Sequence, residues 1–466
     1  MLFMEYDTIV IGAGFAGTAA AALLSKNQKV IIVDENNYYG GRSATRTPKE
    51  YGWAEIDDYY VDFGHHVFPT DNYLDFVIKH TGANRYCDVE LVNMPYFYRY
   101  NDFHKPPTNF FEKLTTYPFM PFRSKLKINK LLKYAEKASF DEIKNKWLYR
   151  SIDDLYDYFD FDDAAREIFT DGFVAGYQTV TETDKLSGGD LLFCMKAFQR
   201  GIKKYKTPLF AAKGGVASII KAFAKVVKEN NGEILLGKKV KKLIIENDQV
   251  KGIKLDNDEK IFAKNVIYAA PVYGLVDISK KDLPAEYVKR LHAAKKESTN
   301  LFLIIGGSKK SLLNEPIGTW VMIPQTETKH VDSYYLVYEF DQKMKQAPKN
   351  HYLFNFAVEI KDMDELQDQQ GLVKRMIKDL QPVFPNFDFK NDFDWRIHHF
   401  FPIVDGLRRT IQWHGKNRFG PTTPIKNLYV AGDSCYEFST GVDGAVSSAI
   451  FTVEKITGEG PLFRNE

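Results

Sequence analysis

The stretch from Tyr6 to Arg42, YDTIVIGAGFAGTAAAALLSKNQKVIIVDENNYYGGR, decides the fold of this chain. Within it, Thr8–Ile11 is rich in β-branched residues, and three glycines follow between positions 12 and 17. Thr18–Leu24 is rich in alanine and leucine, and Lys29–Val33 is β-branched again. A strand, a glycine turn, a helix and a second strand within about thirty residues predict a βαβ unit and therefore an α/β fold.

Thr8–Leu24 is also a run of 17 uncharged residues, close to the length of a membrane-spanning helix. Its three glycines interrupt the run, and Lys26 and Lys29 follow before the second strand begins. The sequence therefore argues against a membrane span. The other alternative to a ligand site is a βαβ unit that begins the fold and binds nothing.

The three glycines have the spacing Gly12-x-Gly14-x-x-Gly17 that is typical of dinucleotide binding. Gly12 permits a sharp turn, Gly14 lets the backbone approach a pyrophosphate, and Gly17 lets the helix pack closely on the strand. The start of the helix, at Phe15 and Ala16, presents free N–H groups and the positive end of its dipole to the phosphates. We therefore predict that this turn binds a dinucleotide.

The residues after the second strand extend the predicted site. Asp34 ends the strand and is placed to accept hydrogen bonds from a ribose diol, with Glu35 beside it. Gly40 and Gly41 offer a second close approach of the backbone, and Arg42 offers a bidentate cation for phosphate oxygens. With these motifs the sequence resembles the FAD-binding amine oxidase / phytoene desaturase superfamily, and the resemblance implies that the cofactor is FAD.

Tyr60–Phe68, with the sequence YVDFGHHVF, resembles the D-x-G-x-H-x-F segment that phytoene desaturase relatives place near the flavin. The resemblance implies that Gly64, His65 and His66 lie at the cofactor, and it makes His66 the candidate catalytic residue. The alternative is a half-buried strand whose histidines are solvated or satisfied locally. Adjacent residues of a strand point to opposite faces, so we expect no metal site from the two histidines.

Two later stretches resemble the remaining cofactor segments of the superfamily. Lys213–Pro271 contains a glycine turn, a helix and several strands in the family's order, which implies that Val240 lies against the adenine and that Ala270 lines the site. Near the C-terminus a strand ends in Gly-Asp and a helix follows. The residues implied there are Gly432, Asp433, Gly441, Val442 and Ala445. The start of this helix would stabilise negative charge on the reduced flavin.

These segments predict a Rossmann-like FAD-binding domain of the glutathione reductase type with an inserted α+β substrate domain. The FAD-binding domain is predicted from residues 1–75, 211–272 and 400–466. The substrate domain is predicted from 76–210, which is helical and rich in aromatic residues, and from 273–399. In 273–399 we predict a mixed sheet with strands at 301–305, 320–323, 334–340 and 352–359, and a helix over 366–380 that ends before Pro382.

Composition limits the partners. The 466 residues include 63 basic and 61 acidic side chains, a formal charge of +2, which argues against nucleic-acid binding. Three cysteines, Cys87, Cys194 and Cys435, are scattered without metal-ligand spacing, so we expect no metal and a reduced, cytoplasmic location. Residues 93–135 mix aromatic and basic side chains, which predicts either peripheral contact with a membrane or a packed lid.

The resemblance implies an FAD-dependent oxidoreductase of the phytoene desaturase type, which removes hydride from a long apolar or amphipathic substrate such as an isoprenoid. Three alternatives stay open: a lipid or carotenoid isomerase without net oxidation, a flavin amine oxidase, and a non-catalytic flavin-binding lipid carrier. The amine oxidase branch carries a lysine near the flavin, and the nearest match in this sequence is Asn300, with Lys295 and Lys296 several residues early. That mismatch weakens the amine oxidase alternative. The sequence leaves the oligomeric state open.

Overall fold

The computed structural model describes residues 5–105, 117–279, 281–313, 319–436, 438–439 and 441–463. The strands are β1 Tyr6–Ile11, β2 Val30–Val33, β3 Val67–Pro69, β4 Val89–Val92, β5 Tyr96–Arg99, β6 Asp102–His104, β7 Leu209–Ala212, β8 Glu233–Leu235, β9 Val240–Glu246, β10 Gln249–Leu255, β11 Lys260–Tyr268, β12 Leu301–Ser308, β13 Thr319–Ile323, β14 Tyr335–Phe340, β15 Tyr352–Glu359, β16 Trp395–Phe401 and β17 Leu428–Val430. The α-helices are α1 Phe15–Leu24, α2 Tyr73–His80, α3 Phe122–Lys137, α4 Phe140–Lys146, α5 Ile152–Tyr158, α6 Asp163–Phe169, α7 Ala175–Gln178, α8 Gly188–Tyr205, α9 Ala217–Glu229, α10 Leu275–Ser279, α11 Ala285–Lys295, α12 Gln369–Val383 and α13 Gly441–Thr457. A π-helical turn, Thr170–Val174, joins α6 to α7.

The first sheet confirms the predicted α/β fold. Its parallel part has the order β8-β2-β1-β11-β17, and β10 and β9 extend it from the first half of β11 in antiparallel pairing. The predicted strand, glycine turn, helix and strand are β1, the turn at Gly12–Gly14, α1 and β2. Helices α9 and α13 pack beside α1 on one face of the sheet. The carboxyl ends of β1, β2, β11 and β17 meet at one edge, where parallel sheets of this kind bind ligands.

The second sheet has the order β16-β12-β15-β14-β13-β5-β6, and all its pairs are antiparallel except β13 with β5. The four strands predicted between 301 and 359 correspond to β12, β13, β14 and β15. One face of this sheet packs against α12, and the other faces the helical region and the first sheet. A small third sheet, β3-β7-β4, lies beside it.

The predicted helix over 366–380 is displaced in the structure, where α12 runs from Gln369 to Val383 and contains Pro382. It begins later because the Asp368 carboxylate accepts a hydrogen bond from the Gly371 N–H and caps the helix. It continues past Pro382 because Leu380 and Val383 are buried in the core beneath the sheet. Burial of these side chains outweighs the hydrogen bond that proline removes in the last turn.

Helices α3 to α8 form a separate cluster around buried aromatic residues such as Trp147, Tyr156 and Phe169. Across the described part of the chain, none of the helices combines the length and the apolar character that crossing a membrane requires. The segment bounds predicted for the two domains stay predictions; the bound at residue 75 falls inside α2, which packs against α13.

Candidate cofactor groove and adjoining chamber

A groove of about 590 Å³ lies at the carboxyl ends of β1, β2, β11 and β17. Segments far apart in the chain form its wall: the turn after β1, the residues after β2, the start of β9, the end of β11 and the start of α13. Every residue predicted to bind the cofactor lies on this wall except Gly17 and His66. The groove has the size and the concave form of a site for a cofactor of dinucleotide dimensions.

The glycine turn after β1 leaves the backbone open to the groove. Gly12 has a φ of +115°, which favours glycine. A Cβ at Gly17 would lie closer than 3.0 Å to the Gly12 carbonyl oxygen, so Gly17 is required for the packing of α1 on β1. Gly14 precedes α1 without a side chain to cap it, which leaves the first N–H groups of the helix open to a ligand. This cradle fits a pyrophosphate.

The Asp34 carboxylate fixes the turn to the second strand. Its Oδ2 accepts a hydrogen bond from the Ala13 N–H at 2.7 Å, and its Oδ1 accepts bonds from the backbone and side-chain N–H groups of Asn36. A carboxylate has further lone pairs, so the predicted contact with a ribose diol stays a prediction. The Glu35 carboxylate lies on the groove wall and forms an exposed ion pair with Lys239 at 3.3 Å.

Arg42 makes a contact that its predicted role did not include. Its guanidinium donates two hydrogen bonds to Asp433, at 2.7 and 2.9 Å, and a third to the Val404 carbonyl. Burial alone would raise the pKa of the Asp433 carboxyl, but the adjacent Arg42 charge holds that pKa below its usual value. The pair joins the second and the last cofactor segments of the groove wall. The predicted contact of Arg42 with phosphate stays a prediction.

The start of α13 forms the opposite wall of the groove. Gly441, Val442 and Ala445 line it, and Gly441 has a φ of +49°. A Cβ at Gly441 would lie closer than 3.0 Å to the His65 ring, so a glycine is needed where His65 meets this helix. The positive end of a 17-residue helix therefore faces the groove beside His65.

His65 is held by a buried polar cluster. Its Nε2 lies 3.5 Å from Oδ1 of Asp405, whose Oδ2 accepts a hydrogen bond from the Thr179 hydroxyl, while the Asp405 N–H donates to the Thr299 hydroxyl. Burial alone would raise the pKa of the Asp405 carboxyl, but the bond with His65 and the charge of Arg409 hold it well below its usual range. Asp405 is therefore an anion that fixes the orientation of His65.

A second, smaller cavity of about 60 Å³, which we call the chamber, adjoins the groove at His65. His65 lies on the wall of both cavities. Most of the remaining chamber wall is apolar, and its aromatic members are Phe173, Tyr177, Phe198, Trp320 and Tyr338. The chamber is thus a space with aromatic and largely apolar walls, directly next to one end of the cofactor groove.

His66 lies on the chamber wall and does not line the groove. It is 3% exposed, its Nε2 lies 3.3 Å from the Asn355 amide nitrogen, and its ring packs 4.4 Å from Tyr338 and 5.0 Å from Phe340. His65 lines both cavities, and His66 lines the chamber alone. A catalytic role for His66 stays a prediction, and His65 is the histidine that faces the groove.

Several groove residues were not predicted from the sequence. Lys238 and Lys239 lie beside Val240, and their position next to a predicted contact was the available signal. Phe401 and Val404 reach the groove from the end of the second sheet, and nothing in the local sequence marks them. Among the described residues, Lys238 and Lys239 are the lysines on the groove wall, and no lysine lines the chamber. Asn300 lines neither cavity, and its amide contacts Met363.

Solved structures of known proteins share this fold. An oxidoreductase from Methanosarcina mazei has a TM-score of 0.74 at 19% identity, covering 96% of this chain and 100% of that one. Putrescine oxidase with bound putrescine has a TM-score of 0.66 at 14% identity, covering 97% and 99%. Both likenesses concern the fold alone.

Rab GDP dissociation inhibitor beta of Rattus norvegicus is 26% identical over 276 residues, which cover 54% of this chain and 61% of that protein. The chain thus spans about three fifths of the length of the curated relatives it matches. The family described as flavin containing amine oxidoreductase matches residues 15–457. The chain therefore belongs to the flavin-containing amine oxidoreductase family, and its cofactor is FAD.

Proposed function

We propose that this chain is an FAD-dependent oxidoreductase that removes hydride from a carbon atom of an apolar or amphipathic substrate, in the manner of phytoene desaturases. The observation that carries the proposal is the aromatic chamber that adjoins the cofactor groove at His65. An apolar group in this chamber would lie next to the cofactor end at the start of α13. The chamber holds only about 60 Å³, so it fits part of a substrate rather than a whole isoprenoid.

FAD, when bound, supplies a two-electron acceptor for hydride. The aromatic walls exclude water and position a C–H bond by shape and not by charge. The N-terminus of α13 faces the groove with its positive dipole end, which stabilises negative charge that develops there. Asp405 holds the His65 ring at the junction, so His65 is positioned to contact both substrate and cofactor.

The positions of the described lysines favour this reaction over amine oxidation. Amine oxidases of the superfamily carry a lysine near the flavin, and the described lysines on the groove wall, Lys238 and Lys239, directly precede Val240 at the predicted adenine end. Asn300, the nearest match to that lysine, lines neither cavity. The polar group nearest the junction is therefore a histidine.

Anaerobic titration of the holoprotein tests the proposal. Squalene and geranylgeraniol represent apolar substrates, and putrescine and benzylamine represent amines. We expect an isoprenoid to bleach the visible absorbance of the flavin and to yield a product with two hydrogens fewer, because hydride leaves one carbon and a proton leaves its neighbour.

Each of the three alternatives predicts a different result, and any of these results would overturn the proposal. Bleaching by amines alone identifies an amine oxidase. A product of unchanged mass without net bleaching identifies an isomerase. Lipid binding with a flavin that no compound reduces identifies a carrier.

A further inference from the structure

The titratable side chains that the structure places on the chamber wall are His65, His66, Tyr177 and Tyr338. The reaction proposed above requires a proton acceptor at this place. When hydride leaves one carbon of the substrate for FAD and a double bond forms, the neighbouring carbon releases H⁺ and the electron pair of its C–H bond enters the new double bond. A base that accepts this proton in the transition state speeds such a step considerably.

Three of the four side chains are unsuited to accept this proton. The Nε2 atom of His66 lies 3.3 Å from the Asn355 amide nitrogen, which only donates, and the Nδ1 atom of His66 lies 3.8 Å from an Asp62 carboxylate oxygen. Both nitrogens of this ring therefore face protein groups. Burial raises the pKa of Tyr177 and of Tyr338, so both hydroxyls stay protonated at neutral pH.

His65 differs because the protein holds one of its ring nitrogens and leaves the other without a partner. Nε2 lies 3.5 Å from Oδ1 of Asp405, and a carboxylate anion only accepts hydrogen bonds, so Nε2 carries the proton of the neutral ring. Nδ1 then keeps its lone pair, and no residue in the described part of the chain bonds to it. The Nε2 edge of the ring lies against Gly441, which leaves Nδ1 on the side away from α13.

The position of His65 brings this lone pair to the place where substrate and cofactor meet. Of the residues that the structure describes, His65 alone lines both the groove and the chamber. Its side chain is 19% exposed, so the ring is reachable from these cavities. A substrate carbon at the junction of the two cavities can therefore lie next to the cofactor and next to Nδ1.

We propose that His65 is the catalytic base of this reaction and that its Nδ1 accepts the proton from the carbon next to the one that loses hydride. Asp405 is the positioning residue, because it holds Nε2 and so fixes the tautomer. The proposal rests on the function proposed above. The substrate is oxidised by two electrons, FAD takes up the hydride, and the imidazolium of His65 carries the proton until water removes it.

The charges behind His65 suit a ring that becomes a cation. Two carboxylates, Asp405 and Asp190, flank the single guanidinium of Arg409, with N–O distances of 3.7 and 3.8 Å. Burial lowers the pKa of His414, so this ring stays neutral beside Asp190 and adds no second positive charge. One negative charge of the cluster is therefore available to balance the imidazolium of His65.

The rate of anaerobic flavin reduction by geranylgeraniol, measured in the holoprotein between pH 5 and pH 9, tests the base. The wild-type rate should rise with pH, because a protonated Nδ1 accepts nothing. His65→Gln should lower the rate about a hundredfold to ten-thousandfold and remove this pH dependence. His66→Gln, at the neighbouring histidine, should keep the pH dependence. The nearby Arg42 and Asp433 form an ion pair with a lowered Asp433 pKa and do not titrate in this range.

Nitrogen NMR of the holoprotein, labelled with ¹⁵N in histidine, tests the tautomer without any substrate. The signals that are absent from His65→Gln belong to His65, and they should show a proton on Nε2 and none on Nδ1. Asp405→Asn should reverse this tautomer, because an amide that accepts the Thr179 bond through its oxygen turns its N–H group toward Nε2. Flavin reduction should then slow by at least about tenfold.

The outcomes separate this proposal from the proposed function. Equal rates with equal pH dependence in the wild type and His65→Gln would overturn the base and leave the proposed function standing. A proton on Nδ1 of the wild-type ring would do the same, and so would an unchanged tautomer in Asp405→Asn for the positioning role. A wild-type flavin that no isoprenoid reduces would refute the proposed function and the base together.

Discussion

Replacing Arg42 by methionine should destabilise the protein far more than replacing an exposed arginine, because it removes the partner of a buried carboxylate. Arg42 and Asp433 are 391 positions apart and form two hydrogen bonds of 2.7 and 2.9 Å. The Asp433 side chain is 5% exposed and that of Arg42 is 30% exposed. Methionine keeps most of the apolar part of the arginine side chain, so the substitution measures the loss of the guanidinium group and its charge.

The expected decrease in the free energy of unfolding follows from this burial. Breaking a buried ion pair by removing one partner costs about 3–5 kcal/mol, and exposed pairs contribute about 0–1 kcal/mol. The Arg42–Asp433 pair is buried on the carboxylate side and partly exposed on the other, so we expect about 2–4 kcal/mol. The Gly406 N–H continues to donate to Asp433 and keeps the cost below the upper limit.

Urea unfolding of deflavinated protein measures this cost, and a flavin fluorescence titration measures FAD affinity, which should fall because the pair spans the groove. The control is Arg85→Met, which breaks a pair with Glu229 whose side chains are 60% and 41% exposed. Arg85→Met should lower the free energy of unfolding by less than about 1 kcal/mol. Equal losses in the two variants would refute the reasoning, as would an Arg42→Met protein with wild-type stability.

Three further predictions test the turn, the Asp171 carboxyl and the membrane contact. Gly17→Ala should cost about 3 kcal/mol in urea unfolding and release FAD, because its Cβ would overlap the Gly12 carbonyl oxygen; a stable holoprotein would contradict this. The raised pKa of Asp171 means that its burial costs stability as pH rises through about 6, so Asp171→Asn should gain about 1.5 kcal/mol over the wild type between pH 5 and pH 8. A gain that does not change with pH would contradict the raised pKa of Asp171, whose charged neighbours are Glu167, Arg99 and Lys361. If residues 93–135 contact membranes, Phe122→Glu, at a side chain 58% exposed beside basic residues, should weaken sedimentation with anionic vesicles, and Leu91→Glu, at an equally exposed strand residue, should not.

The glycine positions of the groove could be predicted from the sequence because each satisfies a local requirement. Gly12 needs a positive φ, Gly14 leaves the start of a helix uncapped, and Gly17 permits close packing. Such requirements depend on a few neighbouring residues, so they leave a short motif. The strands of the parallel sheet could also be predicted, because strands buried on both faces appear in the sequence as short continuous runs of β-branched residues.

The partner of Arg42 could not be predicted in this way. Asp433 lies at the end of another strand, and only the order of strands in the sheet brings the two together. An arginine after two glycines predicts a phosphate contact. This local motif does not show that a distant carboxylate binds the same guanidinium. The same limit applies to Phe401 and Val404, which reach the groove from the second sheet.

The roles of His65 and His66 depend on register. Both belong to one motif, and an error of one position assigns the groove-lining position of His65 to His66, which lines the chamber alone. The chamber wall includes Gly172 and Phe173 of the π-helical turn, which distorts the helical period by one residue and leaves no signal in the composition of Thr170–Val174. These features required the three-dimensional structure.

The claim that an apolar substrate meets the flavin through the chamber is tested most directly by filling the chamber. Val67 lines the chamber but not the groove, so Val67→Phe should reduce the chamber volume and leave FAD binding intact, and Val67→Ala is the matched control. The measurement is the rate of anaerobic flavin reduction by squalene or geranylgeraniol at equal FAD occupancy. We expect Val67→Phe to lower this rate about a hundredfold, through misplacement of the reacting carbon, and Val67→Ala to retain it. Equal rates in Val67→Phe and the wild type, or a wild-type flavin that neither isoprenoid reduces, would contradict the account.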